Sequence, residues 1–201
     1  MDKSVSIEYF KKKASEWDVF PRSNQPEKLQ AMADRLDISE EARVLDIGTG
    51  TGIFLPFIFQ NMNGSGQIVC VDFAIEMLLQ AKRKNFSKEV RFTCAEIENV
   101  RFQNYLFDTA VCYSTFPHFH DKPKALVNIH RLLMPGGLLY ICHTASREAI
   151  NQIHQNLPNL QDHLIPEYDE MKNLLIKAGF TNIQIEEEGD SYLAKSRKPE
   201  A

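Results

Sequence analysis

Apolar residues along the chain follow two alternating rhythms. Short, nearly continuous apolar runs stand at 43–47, 67–71, 90–94, 107–112 and 138–143. Runs of this kind read as strands buried on both faces. Between them, apolar positions recur every three or four residues, which predicts helices over 53–61, 75–84, 122–133 and 147–155. A further helix, 167–178, starts behind Pro166 and stops at Gly179, as start and stop signals require. Strands alternating with helices predict βαβ units, hence an α/β fold with a parallel sheet. The chain ends differently, with strand-like runs at 181–187 and 191–195 on either side of Glu188-Gly189-Asp190, a hairpin signal. An antiparallel strand therefore closes the sheet. Ahead of the first strand, 6–17 places Ile7, Phe10, Ala14 and Trp17 on one helical face, and 26–36 follows Asn24, a candidate cap. These two helices either pack on the core or cover a site.

Composition narrows the class. The 201 residues are about one domain's worth of chain. With 43% hydrophobic and 25% charged residues, the sequence excludes a disordered chain. Twenty-three basic against 27 acidic residues give a net charge of −4, which argues against a nucleic-acid partner. Lys11-Lys12-Lys13 and the tail at 195–198 read as solvated ends. Residues 1–20 lack the apolar core of a signal peptide. The apolar stretch 132–142, broken by Pro135, Gly136 and Gly137, is too short to span a bilayer. Cys70, Cys94, Cys112 and Cys142 form no CxxC pair and each lies in a strand-like run. They read as buried, reduced thiols of a cytoplasmic protein.

The most informative stretch is Val44-Leu45-Asp46-Ile47-Gly48-Thr49-Gly50-Thr51-Gly52, an apolar strand, a glycine turn and the start of a helix. Its spacing is GxGxG; a dinucleotide site wants a third glycine where Ile53 stands. Asp46, just ahead of the turn, would repel a pyrophosphate and suit a cationic or ammonium-bearing ligand. Asp72 ends the second strand, where a carboxylate can accept from both hydroxyls of a ribose; it would equally cap the following helix. Phe73 and Met77 could flank an adenine ring. Glu96 with the backbone of Ile97, past the third strand, could read the ring's edge.

Taken in order, VLDIGTGTG, VDFAIEML, CAEIENVRF, FDTAVCYSTFPHFHDKPKAL and RLLMPGG resemble the successive motifs of class I S-adenosylmethionine-dependent methyltransferases. The similarity is closest to the small-molecule branch that includes ubiquinone/menaquinone-biosynthesis C-methyltransferases, and it runs from about Tyr9 to Lys195. It implies a Rossmann-like, doubly wound seven-stranded sheet, mostly parallel with an antiparallel C-terminal strand. It implies S-adenosylmethionine as cofactor and S-adenosylhomocysteine as product. Asp46, Gly48, Thr49, Gly50 and Gly52 would then line the methionine end, Asp72 the ribose, Phe73 and Met77 the adenine, and Glu96 with Ile97 its edge. Many relatives carry Asp where this chain has the longer Glu96. The single domain, 1–201, divides into a helical cover (1–40), a cofactor-binding core (41–143), a substrate cap (144–166) and a last helix with terminal hairpin (167–201).

On the substrate side, the loop Tyr113-Ser114-Thr115-Phe116-Pro117-His118-Phe119-His120 brings aromatics and histidines to the end of the fourth strand. Tyr113 is a candidate cofactor contact and Phe116 a candidate substrate contact. His118 is the first candidate for a base or positioning group, with a structural hydrogen bond as the alternative. His120 either caps the next helix or faces water. His143 ends the fifth strand as a second catalytic candidate, and Arg147, Asn151 and His154 share one helical face opposite it, as a polar substrate wall or a solvated face. Tyr9, Phe10 or Trp17 could close over the methionine moiety, with Tyr9 touching substrate. The scattered spacing of His118, His143 and His154 matches no standard metal motif, so no metal is expected. The sequence thus predicts methyl transfer to an O, N, S or C nucleophile of a small molecule by a monomer or homodimer. Two other readings remain: a non-catalytic S-adenosylmethionine-binding sensor or partner subunit, and a nicotinamide-dependent oxidoreductase, against which the missing glycine and Asp46 count.

Overall fold

In the computed structural model, which describes residues 3–19, 25–62, 66–87, 89–187 and 189–200, seven strands form one sheet. They are β1 (Arg43–Ile47), β2 (Gln67–Asp72), β3 (Val90–Cys94), β4 (Phe107–Tyr113), β5 (Leu133–His143), β6 (Thr181–Glu186) and β7 (Tyr192–Arg197). Their order is β3-β2-β1-β4-β5-β7-β6. Neighbours from β3 to β5 are parallel, and β7 is antiparallel to both β5 and β6. The helices are α1 (Lys3–Lys13), α2 (Pro26–Ala33), α3 (Leu55–Asn61), α4 (Ile75–Arg83), α5 (Lys122–Leu132), α6 (Arg147–Gln155) and α7 (Tyr168–Lys177). No described helix is long and apolar enough to cross a membrane.

The two-residue period of the strands divides the core between the faces of the sheet. Val44 enters one layer with Leu29 of α2 and Ile58 of α3. Leu45 and Ile47 enter the other with Ile129 of α5 and Met171 of α7. Four expectations need correction. β3 is an edge strand and only half-buried, because β2 alone pairs with it. Cys94 is accordingly exposed, unlike Cys70, Cys112 and Cys142. β5 begins at Leu133, five residues earlier than the apolar run, because Gly136 at φ +76° lets the backbone continue through a register shift against β4. α1 stops at Lys13, where tighter turns lead into a short 3-10 segment, Trp17–Val19. Asn24 and Glu188 lie outside the described residues.

Strand order reverses between β1 and β4, which opens a crevice beyond the carboxyl ends of these strands. The floor of that crevice depends on Gly48, at φ +67°, where a Cβ would stand 1.9 Å from Thr115 Oγ1 in the loop after β4. Gly50 also has positive φ, but a Cβ there would meet nothing within 4 Å. Gly48→Ala should therefore destabilise the protein by about 2–4 kcal/mol, combining left-handed strain with overpacking, whereas Gly50→Ala should cost about 1–2 kcal/mol. Urea unfolding midpoints of the two variants provide the comparison.

Candidate active site

The turn after β1 is held by backbone donors. The N–H groups of Gly48 and Thr49 donate to the Val71 carbonyl at 2.7 and 3.3 Å. The Thr49 hydroxyl donates to Asp46. Gly50 N–H and Ala74 N–H donate to the two carboxylate oxygens of Asp72, each at 2.8 Å. Burial pushes Asp72 up to about 6, against the pull of these two N–H groups. Asp46 is driven up to about 7, by burial first and by the Asp72 charge, while the Thr49 hydroxyl opposes. Asp46 does not line the crevice; it is sealed beneath the turn and fixes Thr49.

Two clefts meet in the crevice. One, of about 640 Å³ counting its open mouth, runs past Asp72, Phe73, Glu96 and Ile97 and is roofed by Ser6, Ile7 and His163. The other, of about 520 Å³, follows the turn from Gly48 to Thr51 and is bounded by Met77, Tyr113, Phe10 and Trp17. Both include Gly48, Asp72, Phe73, Thr115 and His118. Gly48, Thr49, Gly50, Asp72, Phe73, Met77, Glu96, Ile97, Tyr113 and His118 thus line one continuous site. Gly52 instead packs on Leu55 and Phe86. Asn99 donates to Glu96 at 2.9 Å, and Tyr113 stacks on Phe54, its hydroxyl 3.0 Å from that of Thr144.

The N-terminal helix borders both clefts through Ser6, Ile7 and Phe10. Phe10 meets Phe73 edge-on at 5.6 Å and His118 at 5.0 Å. Asp18 accepts from the Thr51 hydroxyl and pairs with Lys84 at 2.7 Å, which ties the cover to the glycine turn. Tyr9 packs against Phe10 and lies outside the cleft linings.

The expected substrate wall takes other tasks. Arg147 binds Glu148, Glu167 and Glu187 at 2.7–3.0 Å, so its guanidinium latches α6 to the N-terminus of α7 and to the chain after β6. Asn151 exchanges two hydrogen bonds with the backbone of Ile165. Phe116 is fully buried against Phe119. His143 is buried edge-on to Tyr192, with Nε2 unpartnered, and burial together with His154 lowers it to about 3. His120 is exposed and Asp121 is the cap of α5.

What the sequence reading missed is His163, in the irregular segment between α6 and α7. Its Nδ1 lies 2.8 Å from Nδ1 of His118, and its carbonyl accepts from Nδ1 of His154. A lone histidine in a stretch without periodicity carries no signal of this pairing. Burial lowers His118, His154 and His163, Lys122 adds to it in all three, and neighbouring histidines add to it in His118 and His163, so the cluster is neutral near pH 7. Among the described residues, no three His, Cys, Asp or Glu side chains are grouped to hold a metal ion.

Comparison with known proteins agrees with this geometry. A methyltransferase-domain family model matches residues 38–190. The chain is 37% identical over 101 residues to a demethylmenaquinone methyltransferase of Thermus thermophilus, across 49% of this chain and 46% of that protein. Overall, it spans about half the length of the first curated relatives it matches. Its fold follows a SAM-dependent methyltransferase from Aquifex aeolicus, with a TM-score of 0.72 at 21% identity over 93% of this chain and 97% of that one. It also follows Haemonchus contortus phosphoethanolamine N-methyltransferase 2 in complex with S-adenosyl-L-methionine, with a TM-score of 0.73 at 17% identity over 93% and 56%. The chain belongs to the class I S-adenosylmethionine-dependent methyltransferase family.

Proposed function

We propose that the protein transfers a methyl group from S-adenosylmethionine to a small-molecule acceptor, with His118 taking the acceptor's proton. The observation that carries this reading is the position of His118. It stands where the cleft along the glycine turn joins the cleft along Asp72, Phe73, Glu96 and Ile97. The residues fit the cofactor. A Cβ on Gly50 would stand in open cleft space, and Asp72 keeps two lone-pair directions beyond its backbone donors. Gly48, Thr49 and Gly50 would hold the methionine part, Asp72 the ribose, and Phe73, Met77, Glu96 and Ile97 the adenine. The cofactor supplies a methyl already activated on a sulfonium. The chain's own work is to align the acceptor, exclude water under α1, and accept a proton where the nucleophile carries one. Small-molecule acceptors are also what the names of the Thermus and Haemonchus proteins indicate.

Calorimetry with S-adenosylhomocysteine tests the binding half. Ribose hydroxyls donating to Asp72 favour its ionised form, so at pH 6 binding should release protons, seen as a dependence of the heat on buffer ionisation. Asp72→Asn should weaken affinity by roughly ten- to a hundredfold, consistent with loss of charge-assisted bonds, and abolish the proton release. Unchanged affinity would overturn the ribose assignment. Methyl transfer to a panel of phenols, amines, thiols and quinols tests the catalytic half.

Asp46 gives a separate prediction in the ligand-free protein. Its folded pKa of about 7 lies above the ordinary 3.8. The stability it allows is therefore full below pH about 4 and declines as pH rises to about 7. Asp46→Asn keeps an acceptor for Thr49 and removes that decline. The variant should match the wild type at pH 4 and exceed it by on the order of 3 kcal/mol at pH 8 in chemical denaturation.

A further inference from the structure

His163 is the hydrogen-bonding partner of His118 among the described residues, and nothing in the reading above gives it a task. The two rings meet Nδ1 to Nδ1 at 2.8 Å. Both are neutral near pH 7, so the contact holds one hydrogen: one ring donates and the other accepts. His118 Nε2 has no described protein partner, and His118 lines both clefts.

We propose that His163 is a positioning residue: it accepts from His118 Nδ1–H and so leaves His118 Nε2 as a bare lone pair facing the methyl acceptor. This rests on His118 being the base of the proposed reaction. The opposite arrangement puts a hydrogen on His118 Nε2, where it blocks the atom that must take the proton. In the proposed one, a proton arriving at Nε2 makes an imidazolium whose Nδ1–H bond to His163 becomes charge-assisted. The balance is closed. As the acceptor's lone pair forms its new bond to the methyl carbon, its proton moves to His118 Nε2, and the electron pair of the broken carbon–sulfur bond stays on sulfur as a neutral thioether.

The surroundings suit this division of roles. His163 Nε2 then carries the ring's own hydrogen, and Ser6 Oγ of the covering helix stands 3.4 Å from it. Docking of α1 thus brings up a hydroxyl oxygen that can accept this hydrogen. His154 holds the His163 carbonyl from α6, which fixes the segment that presents the ring. The titratable groups facing His118 are His154 and His163 from the cap, His143 from β5 and Lys122 from α5. Among the described residues, those acting on His163 are Lys122, His154 and Asp162. No carboxylate acts on His118 among these, so no competing acceptor pulls its Nδ1 hydrogen elsewhere.

The test is the tautomer itself, read by long-range proton–nitrogen NMR on protein with labelled histidine, saturated with S-adenosylhomocysteine. The expected result is His118 with hydrogen on Nδ1 and bare Nε2. His163→Leu should shift His118 towards the Nε2–H form. His163→Asn, whose side-chain oxygen replaces the Nδ1 acceptor, should restore it. With any acceptor that the panel identifies, kcat should fall on the order of tenfold or more in His163→Leu. KM should change little, the acid limb of the pH profile should move, and His163→Asn should recover most of the loss. S-adenosylhomocysteine affinity within about threefold of wild type in both variants confirms an intact site. Wild-type His118 in the Nε2–H form, or His163→Leu with wild-type tautomer and kcat, would overturn the proposal. If the tautomer is as expected but His118→Asn transfers methyl at the wild-type rate, the pairing stands and the base reading fails.

Discussion

The carboxylate of Asp72 joins two loops that the chain writes more than twenty residues apart. One oxygen accepts from Gly50 in the turn after β1, the other from Ala74 at the entry to α4. Both donors are backbone groups, that of Ala74 buried and that of Gly50 half-buried at the cleft, and the Ala74 N–H would be left unsatisfied without it, at a cost of about 1–3 kcal/mol. The glycine turn therefore takes its place relative to β2 rather than to β1 alone, and α4 starts where Met77 and Phe73 border the same space. Both clefts are built around this one side chain. The same burial that makes the bridge strong lifts its pKa to about 6, so a hydroxyl donating to it would draw the carboxyl into its ionised form.

What closes the crevice is held by charge at its margins and by rings at its centre. Asp18 connects the covering segment to Thr51 and Lys84. Phe10 fills the middle against Phe73 and His118. On the other side, Arg147 engages three carboxylates with its side chain only 14% exposed. An arginine fork matches carboxylates two at a time, so one residue can fix α6 against two different parts of the chain. Cover and cap are in this way rigidly placed at their edges, while the imidazoles between them stay free of strong ionic partners.

The sheet and the glycine turn were legible because their signals are local. A continuous apolar run such as 67–71 needs no neighbour to be read as a strand, and Gly48, Gly50 and Asp72 have backbone roles that their residue types announce. Signals failed where a residue's task depends on distant chain. Cys94 looked buried because its run is apolar, but pairing on one side only leaves it exposed. Arg147, Asn151 and His154 do share a helical face, yet that face meets carboxylates and backbone of the following segment instead of the cleft. His163 was invisible for the same reason. Its neighbours in sequence say nothing, and its meaning comes from a ring 45 residues away. Periodicity reports which way a side chain turns from its own helix, not what the fold brings to meet it.

An acidic site lined with neutral histidines requires explanation, since nearby carboxylates ordinarily raise imidazole pKa values. Here the charges are kept apart. Asp46 lies under the turn and Asp72 faces backbone N–H groups, whereas burial first, and then Lys122 as the charge common to all three, lowers His118, His154 and His163. Its ammonium is anchored on the Pro117 carbonyl at 3.1 Å, close enough to oppose protonation of the cluster without entering either cleft. Arg147 and Lys84, the other cations beside the site, are occupied by carboxylates. The described linings of both clefts consequently contain carboxylates and imidazoles but no Lys or Arg. Such a surface favours a cation on one side of the reacting centre and an uncharged proton acceptor on the other. That is the electrostatic arrangement methyl transfer from a sulfonium to a protonated nucleophile needs: the positive charge is tolerated before the transfer, and an imidazole is available for the proton that appears with it.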